Sequence, residues 1–287
     1  MRNIRYCFKN FWKSNDLEET WYYKFLSKYC NPIYDAVTPQ IVIASIFGNE
    51  PIPRNAKTLL LIGESMKWGY ELSFRPNVYI VGHQDFADIR FNVPFFKDTP
   101  EEYRKTCYYL QHLPLYSGRD KFCCAVISNG FMTDGYRNNF INELSKYKQV
   151  DMGGAFNNNI GQVIPRGVEY KLSFLSNYKF NVAMENSLDC NYHTEKLLEG
   201  FAGGIPIYYG GLTNFNWLNS IFNVERLIFA SPDNTEKIIK EIEYLDNHEE
   251  EYVKKLSQPI FRDYSLLEKE IENLDKGIKE IIDNIEE

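Results

Sequence analysis

Side chains that could do chemistry gather between residues 185 and 196. Two carboxylates, an amide, a phenol and an ammonium group stand there: Glu185, Asn186, Tyr192, Glu195 and Lys196. A lysine at the start of a helix would add a full charge to the positive end of the helix dipole, which favours phosphate. A glutamate accepts two hydrogen bonds, and a ribose diol offers two donors. The pattern favours a phosphorylated nucleotide; the alternative is an ordinary first-turn glutamate beside a solvated lysine.

A strand, a loop, a helix and a second strand are predicted to position these residues. An apolar run predicts the first strand from Tyr178 to Met184. Thr194 is a good N-cap residue for a helix from Glu195 to Ala202, and the second strand runs from Ile205 to Tyr209. Ligands of open α/β sheets bind beyond the carboxyl ends of the strands, where these polar residues fall. Asn181, within the first strand, needs a partner that is either a ligand or the protein itself.

Strands and helices alternate along the rest of the chain, in two halves. In the first half the sequence predicts strands at Ile4–Phe8, Ile41–Phe47, Thr58–Ile62 and Val78–Val81, and a helix at Asp16–Tyr29. In the second half it predicts strands at Phe122–Ser128 and Leu227–Phe229, and helices at Gly135–Tyr147, Leu172–Asn177, Asn234–Leu245 and Glu249–Gln258. A linker at Pro114–Asp120 divides the chain into domains 1–116 and 117–287.

An acidic amphipathic helix is predicted near the end of the sequence, from Leu266 to Ile285. Five apolar residues share one face of it: Ile271, Leu274, Ile278, Ile281 and Ile285. This face would either pack back across the first half or make a homodimer contact, and the sequence does not choose between them.

Two more charged residues follow predicted strands. Glu64 comes just after a strand of the first half, where a lone carboxylate could serve as a general base. Arg137 lies in the first turn of the helix that follows Phe122–Ser128, which repeats the placement of Lys196. Paired cations at one sheet edge can neutralise a diphosphate leaving group without a metal ion. The alternative for both residues is a solvated surface position.

Metal-ligand patterns are not found in the sequence. His83 and His193 lack a second ligand at a suitable spacing, and Asp85 and Asp88 fit a solvated loop better than a metal pair. No Asp-x-Asp motif for a metal–diphosphate clamp is present. The sequence therefore predicts neither a metal nor another cofactor.

Composition narrows the class of protein. The net charge of −7 over 287 residues argues against nucleic acid as a partner. Six cysteines occur without a Cys-x-x-Cys pair, which predicts free thiols in a reducing compartment. No signal peptide or membrane-spanning run is visible, so we expect a cytoplasmic protein.

The stretch ENSLDCNYHTEKLLEGFAGGIPIYYGG resembles the donor-binding signature of the family 10 glycosyltransferases, the α-1,3/4-fucosyltransferases. The resemblance rests on Glu185–Ser187, Tyr192, Thr194–Lys196 and Ile205–Tyr208, and it extends over about residues 40–230. Two positions depart from the family pattern: Met184 replaces the usual Phe, and His193 replaces a small β-branched residue.

This resemblance implies an α/β protein of the GT-B type, with two Rossmann-like domains facing a cleft and a C-terminal helix. The first domain would bind an oligosaccharide acceptor and the second would bind GDP-fucose. The reaction would be an inverting transfer of L-fucose to a hydroxyl, O3 of GlcNAc or Glc, without a metal. The family's C-terminal heptad repeats and basic tail have no counterpart here, so membrane association is not expected.

Residue roles also follow from the resemblance. Glu64 is assigned as the general base. The residues assigned to the donor are Arg137, Asn181, Glu185, Asn186, Tyr192, Glu195 and Lys196. Two alternatives stay open: a GT-B transferase that uses another nucleotide sugar, and a non-catalytic relative that binds a glycan or nucleotide.

Overall fold

Two parallel sheets organise the computed structural model, each in its own compact unit. The structure describes residues 1–11, 16–64, 74–90, 100–113, 119–130, 135–188, 191–211 and 215–285. The first unit comprises Met1–Tyr103, Cys190–Tyr192 and Ser265–Glu287, and the second comprises Arg104–Asp189 and His193–Tyr264. The predicted domain boundary, between residues 116 and 117, lies outside the described residues.

The first sheet has six described strands in the order β2-β1-β3-β4-β5-β6, paired in parallel. They are β1 (Asn3–Lys9), β2 (Asn31–Tyr34), β3 (Ile41–Ser45), β4 (Lys57–Ile62), β5 (Val78–Gly82) and β6 (Ile89–Arg90). Every residue of β3 is buried, as expected of a strand covered on both faces of a parallel sheet. The first helix, α1 (Trp21–Tyr29), is shorter than predicted because Thr20 has an extended backbone, and α2 spans Pro100–Gln111.

The second sheet has five described strands in the order β11-β10-β9-β7-β8, again paired in parallel. They are β7 (Lys121–Ala125), β8 (Val150–Met152), β9 (Tyr178–Val182), β10 (Ile205–Tyr208) and β11 (Ile228–Phe229). The helices of this unit are α3 (Tyr136–Tyr147), α4 (Val168–Leu175), α5 (Glu195–Gly200), α6 (Phe215–Ile221), α7 (Thr235–Asn247) and α8 (Glu249–Leu256).

One apolar core fixes the helices of the second unit to its sheet. Phe140 of α3 and Ile242 of α7 are fully buried, and they belong to one cluster with Phe180 of β9 and Ile207 of β10. Burial of each such side chain stabilises the fold by roughly 1.5–3 kcal/mol. This packing fixes the position of α3, whose first turn carries Arg137.

The last described helix, α9 (Tyr264–Asp283), packs within the first unit. The five apolar residues predicted to share one face are all buried. Arg2 Nη1 donates a hydrogen bond of 2.7 Å to the carbonyl of Ile285, and Lys28 forms an ion pair with Asp275 of the helix. Of the two alternatives for this helix, packing on the first half is observed, although the predicted division had counted it with the second domain. A homodimer stays an untested prediction.

Within the described ranges, no helix has both the length and the apolar character that crossing a bilayer requires.

Candidate active site

The carboxylate of Glu185 is fully buried and accepts four hydrogen bonds. Its Oε1 accepts from the backbone N–H of Thr194 at 2.8 Å and from the Tyr208 hydroxyl at 3.4 Å. Its Oε2 accepts from the Thr194 hydroxyl at 2.7 Å and from Lys196 Nζ at 3.0 Å. A buried charge is tolerated only when it is paired and hydrogen-bonded in this way. Its oxygens hold the loop and Lys196, and the predicted contact of Glu185 with the donor stays a prediction.

Backbone pairing places Glu185 at the carboxyl edge of the second sheet. After β9 the chain continues alongside β10, with Ala183 N–H donating to Ile207 O at 2.9 Å and Glu185 N–H donating to Tyr209 O at 2.7 Å. A Cβ on Gly210 would lie 2.4 Å from Cγ of Glu185. Glycine at this position therefore gives the buried carboxylate the space it occupies.

His193 extends the same network. One of its ring nitrogens, Nδ1, lies 2.9 Å from the Tyr208 hydroxyl, and its ring stacks on Trp217 with centroids 5.1 Å apart. Gly211 has a φ of +43°, and a Cβ there would lie 2.1 Å from the His193 ring. His193 therefore contacts Tyr208, which in turn donates to Glu185. Although His193 departs from the family pattern, its ring is accommodated by stacking on Trp217.

Lys196 is held beside the loop as a cation. Its Nζ donates to Glu185 and, at 3.0 Å, to the Thr194 hydroxyl, which uses two of its three N–H donors. About a quarter (25%) of the side chain remains exposed. Burial is the largest influence on its pKa and lowers it, but Glu185 and Glu195 more than offset burial, so the pKa lies above its usual value. The ammonium group therefore stays charged at neutral pH, with one N–H unused among the described contacts.

Arg137 supplies a second cation on the same edge. It is 3% exposed in the first turn of α3, and its Nη2 donates to the carbonyl of Asn129 at 2.8 Å. The strands that precede α3 and α5, β7 and β9, are neighbours in the sheet. Arg137 lies close enough to Lys196 to lower the pKa of that lysine. The structure thus brings the two predicted cations together.

Asn181 contacts the protein backbone through its side chain. Its side-chain amide donates to the carbonyls of Gly200 and Gly203, at 2.5 and 3.2 Å, where α5 and the following 3-10 turn end. Carbonyl groups at a helix end need such partners when they are buried. Asn181 is 2% exposed, and its amide fixes the end of the helix; its contact with the donor stays a prediction.

Asn186 and Glu195 are the sequence neighbours of Glu185 and Lys196, and both are partly exposed. The Oδ1 atom of Asn186 is a buried acceptor that has no hydrogen-bond partner among the described residues. Glu195 begins α5, directly after the Thr194 cap, and its charge raises the pKa of Lys196. Asn186 lies beyond the end of β9 and Glu195 lies in the first turn of α5, as the sequence predicted.

Glu64 and Tyr192 belong to the first unit. Glu64 lies two residues beyond β4 and is partly exposed, and the Tyr192 hydroxyl approaches its Oε2 at 3.5 Å. The Tyr192 ring packs on His83 with centroids 5.2 Å apart. The neighbouring Asn191 donates to the His83 carbonyl and, at 3.2 Å, to Asp85 Oδ1. Tyr192 is therefore positioned against Glu64.

Candidate metal ligands do not converge in the part of the chain that the structure describes, where no three His, Cys, Asp or Glu side chains form a cluster that could hold a metal ion. Asp88 accepts a hydrogen bond from the backbone of Ile80 at 2.7 Å, and Asp85 pairs with Arg90. These two carboxylates have protein partners.

Sequence reasoning missed two contributors to the site. Tyr208 matched the family pattern, but its link between Glu185 and His193 was not predicted. Gln84 donates to the carbonyl of Glu64 at 3.3 Å and so fixes the backbone of the predicted base. The glycine pair at 210 and 211 is a signal in the sequence for close packing after a strand, whereas nothing in the sequence pattern marks Gln84.

Comparison with solved structures establishes the class of fold. A crystal structure of an α1,3-fucosyltransferase with GDP matches this chain with a TM-score of 0.71 and 21% identity, covering 97% of this chain and 91% of that one. A crystal structure of an α1,3-fucosyltransferase with GDP-fucose gives 0.68 and 19%, covering 97% and 91%. At these identities the likeness concerns the fold alone. The chain therefore has the α/β fold of the GT-B type, with a C-terminal helix, as predicted.

The family follows from the sequence. Residues 116–258 match the model of the glycosyltransferase family 10 (fucosyltransferase) C-terminal domain. The chain is 31% identical over 213 residues to a provisionally named fucosyltransferase of Acanthamoeba polyphaga mimivirus, covering 70% of this chain and 34% of that protein. It is 27% identical over 234 residues to the α-(1,3)-fucosyltransferase FucT of Helicobacter pylori, covering 70% and 46%. The chain belongs to glycosyltransferase family 10, and it spans from a third to just under half the length of these relatives.

Replacing the buried carboxylate tests its role as the residue that holds Lys196. Glu185→Gln should lower the free energy of unfolding by about 3 kcal/mol, since it leaves Lys196 without its charged partner. It should also weaken the binding of inorganic pyrophosphate, because Lys196 is no longer held in place. Chemical denaturation and calorimetric titration measure the two effects.

A second buried pair of the same unit provides the matched control. Lys171 and Glu199 form an ion pair with 22% and 7% of their side chains exposed. Glu199→Gln should cost a similar free energy of unfolding but leave pyrophosphate binding unchanged. Equal loss of binding in both variants would contradict a specific role for Glu185.

Proposed function

We propose that this chain transfers L-fucose from GDP-fucose to a hydroxyl group of an oligosaccharide acceptor, with inversion at the anomeric carbon. Family membership supports the reaction class. The donor is proposed from the solved relatives, whose complexes contain GDP and GDP-fucose. The acceptor hydroxyl is proposed as O3 of GlcNAc or Glc, from the α-1,3 relatives.

The pairing of Lys196 with Arg137 is the observation that carries this proposal. When the glycosidic bond of a nucleotide sugar breaks, negative charge develops on the diphosphate, and fixed cations stabilise it. Arg137 offers a guanidinium group that can bind two phosphate oxygens at once. Lys196 has an N–H donor left over after its contacts with Glu185 and Thr194. Because Glu185 fixes the ammonium group before any ligand binds, little reorganisation is needed during the reaction.

Glu64 is proposed to act as the general base. A base must reach the proton that it removes, and Glu64 is partly exposed at the carboxyl edge of the first sheet. The Tyr192 hydroxyl and the Gln84 contact to its backbone restrict its position. As Glu64 takes the proton, the acceptor oxygen attacks the anomeric carbon from the face opposite GDP. The sugar passes through an oxocarbenium-like state, and the electron pair of the broken bond leaves with GDP.

The alternative donors and the non-catalytic alternative can be tested directly. Incubation with a panel of nucleotide sugars and lacto- and lactosamine acceptors, followed by product mass, identifies the donor. A mass gain from a different sugar would favour another GT-B transferase. Binding of GDP without transfer or hydrolysis would favour a non-catalytic relative.

The amide variant Glu64→Gln tests the base. It should lower turnover by ~10²–10⁴, since it removes the proton acceptor but keeps the shape of the side chain. The affinity for GDP should change little. A matched control is Glu19→Gln in the same unit, which replaces an exposed glutamate and should leave turnover unchanged. Normal turnover by Glu64→Gln would exclude Glu64 from this role.

Removal of either cation tests the diphosphate contact. Arg137→Ala and Lys196→Ala should each weaken GDP binding about tenfold to hundredfold, because each removes charged hydrogen bonds to phosphate. Isothermal titration calorimetry measures the affinity for GDP. The control is Lys146→Ala, which replaces an exposed lysine of α3, the helix that carries Arg137. Unchanged affinity in both variants would refute the phosphate role.

The metal-free scheme predicts that transfer survives chelation. We expect the same turnover after dialysis against EDTA, since Arg137 and Lys196 supply the positive charge that a metal would otherwise provide. The comparison includes samples with Mg²⁺ or Mn²⁺ added back. Loss of turnover in EDTA that is restored by either ion would contradict this part of the proposal.

A further inference from the structure

Two arginines lie at the edge of the second sheet opposite Lys196 and Arg137. Arg119 comes two residues before β7, and Arg226 comes two residues before β11, so both stand at the amino ends of strands. Arg119 Nη2 donates to the carbonyl of Ala202 at 3.3 Å, in the turn that precedes β10. Tyr252 joins the cluster from α8, and its hydroxyl donates to the carbonyl of Lys179 in β9 at 3.0 Å.

Two nitrogen atoms of the buried Arg226 guanidinium group have no hydrogen-bonding partner among the described residues. The residue is 4% exposed, and these two atoms, Nε and Nη1, are inaccessible to solvent. The Nε atom of Arg119 is also buried and unpaired. Over the described ranges, neither arginine forms an ion pair with a carboxylate. Buried charges ordinarily have such a partner, because an unpaired one is costly.

Electrostatics agree with this geometry. Burial is the main cause that lowers the pKa of Arg226 to about 10; Tyr252 opposes this shift and the charge of Arg119 adds to it. Burial likewise lowers the pKa of Arg119, with Tyr252 and Tyr109 opposing the shift. Both guanidinium groups remain protonated at neutral pH, so this edge of the sheet carries two positive charges.

We propose that Arg119 and Arg226 form a binding site for a phosphate dianion at the amino-terminal edge of the second sheet. A guanidinium group presents parallel N–H donors that match two oxygens of a phosphate. Phosphate carries a charge between about −1.5 and −2 at pH 7, which balances two arginines, whereas a single carboxylate would leave one charge uncompensated. The site is separate from the donor site and does not depend on the proposed transfer reaction.

The dianion can come from inorganic phosphate or from a phosphomonoester, since both present the same group. The experiment therefore has two arms, one with inorganic phosphate and one with glycerol 3-phosphate. The arm with the tighter binding identifies the source. Tyr109, 46% exposed and near Arg119, would lie beside any organic substituent.

Calorimetric titration of the full chain with inorganic phosphate or glycerol 3-phosphate tests the site. GDP is present in excess to occupy the donor site, and a chloride titration at the same ionic strength is the blank. Wild-type protein should bind phosphate, and Arg226→Met should weaken that binding about tenfold or more. Arg262→Met, an exposed arginine of the same unit, should bind phosphate as the wild type does. A separate titration with GDP measures binding at the donor site. A loss of GDP binding and a loss of phosphate binding can therefore be told apart.

Two results would overturn the proposal: no phosphate binding by the wild type beyond the chloride control, or equal binding by Arg226→Met. If Arg226→Met does not fold, Arg119→Met takes its place, and it should show the same loss of phosphate binding. If Arg119→Met binds phosphate as tightly as the wild type does, the site is also rejected.

Discussion

A single buried carboxylate, that of Glu185, determines the geometry of the candidate donor site. It has no contact with solvent, so the fold must supply every partner, and Thr194, Lys196 and Tyr208 do so. The described residues 186–188 and 191–194 have little regular structure of their own. The hydrogen bonds to Glu185 therefore fix where the loop ends, where α5 begins and where the ammonium group of Lys196 lies.

The two edges of the second sheet use the same kind of side chain in different ways. At the carboxyl edge, Lys196 and Arg137 are near Glu185 and Glu195, and these carboxylates keep the lysine charged. At the amino edge, Arg119 and Arg226 have tyrosines as neighbours but no paired carboxylate among the described residues. Because these carboxylates balance the positive charge of Lys196 and Arg137, that pair is stable before a ligand binds. Arg119 and Arg226 lack such carboxylates in the described part of the chain, and this is the basis for assigning an anion to them.

The sequence predicted those parts of the structure that have a strong local pattern. Long apolar runs predicted β3, β4 and β9, and the matching positions of Arg137 and Lys196 after predicted strands predicted that the two cations would meet. The short strand β8 was missed because its three residues precede two glycines and its pairing comes from β7. The edge strand β2 contains Pro32, which weakens a strand prediction although proline is tolerated at a sheet edge.

Roles within the site were harder to predict than positions, because they depend on contacts distant in sequence. Glu185 was placed correctly, but only the folded loop brings Thr194 and Tyr208 onto its oxygens. Asn181 had two interpretations in the sequence, and its contacts with the carbonyls of Gly200 and Gly203 favour the structural one. The unpaired state of Arg226 could not be predicted, because the sequence does not show which carboxylates lie nearby.

The most direct measurement is a crystal structure of the chain with GDP bound. We expect diphosphate oxygens within hydrogen-bonding distance of both Arg137 and Lys196, while Glu185 keeps its contacts with Thr194. A diphosphate that contacts neither cation, or a loop in which Glu185 has turned away from Thr194 to bind the nucleotide, would contradict it.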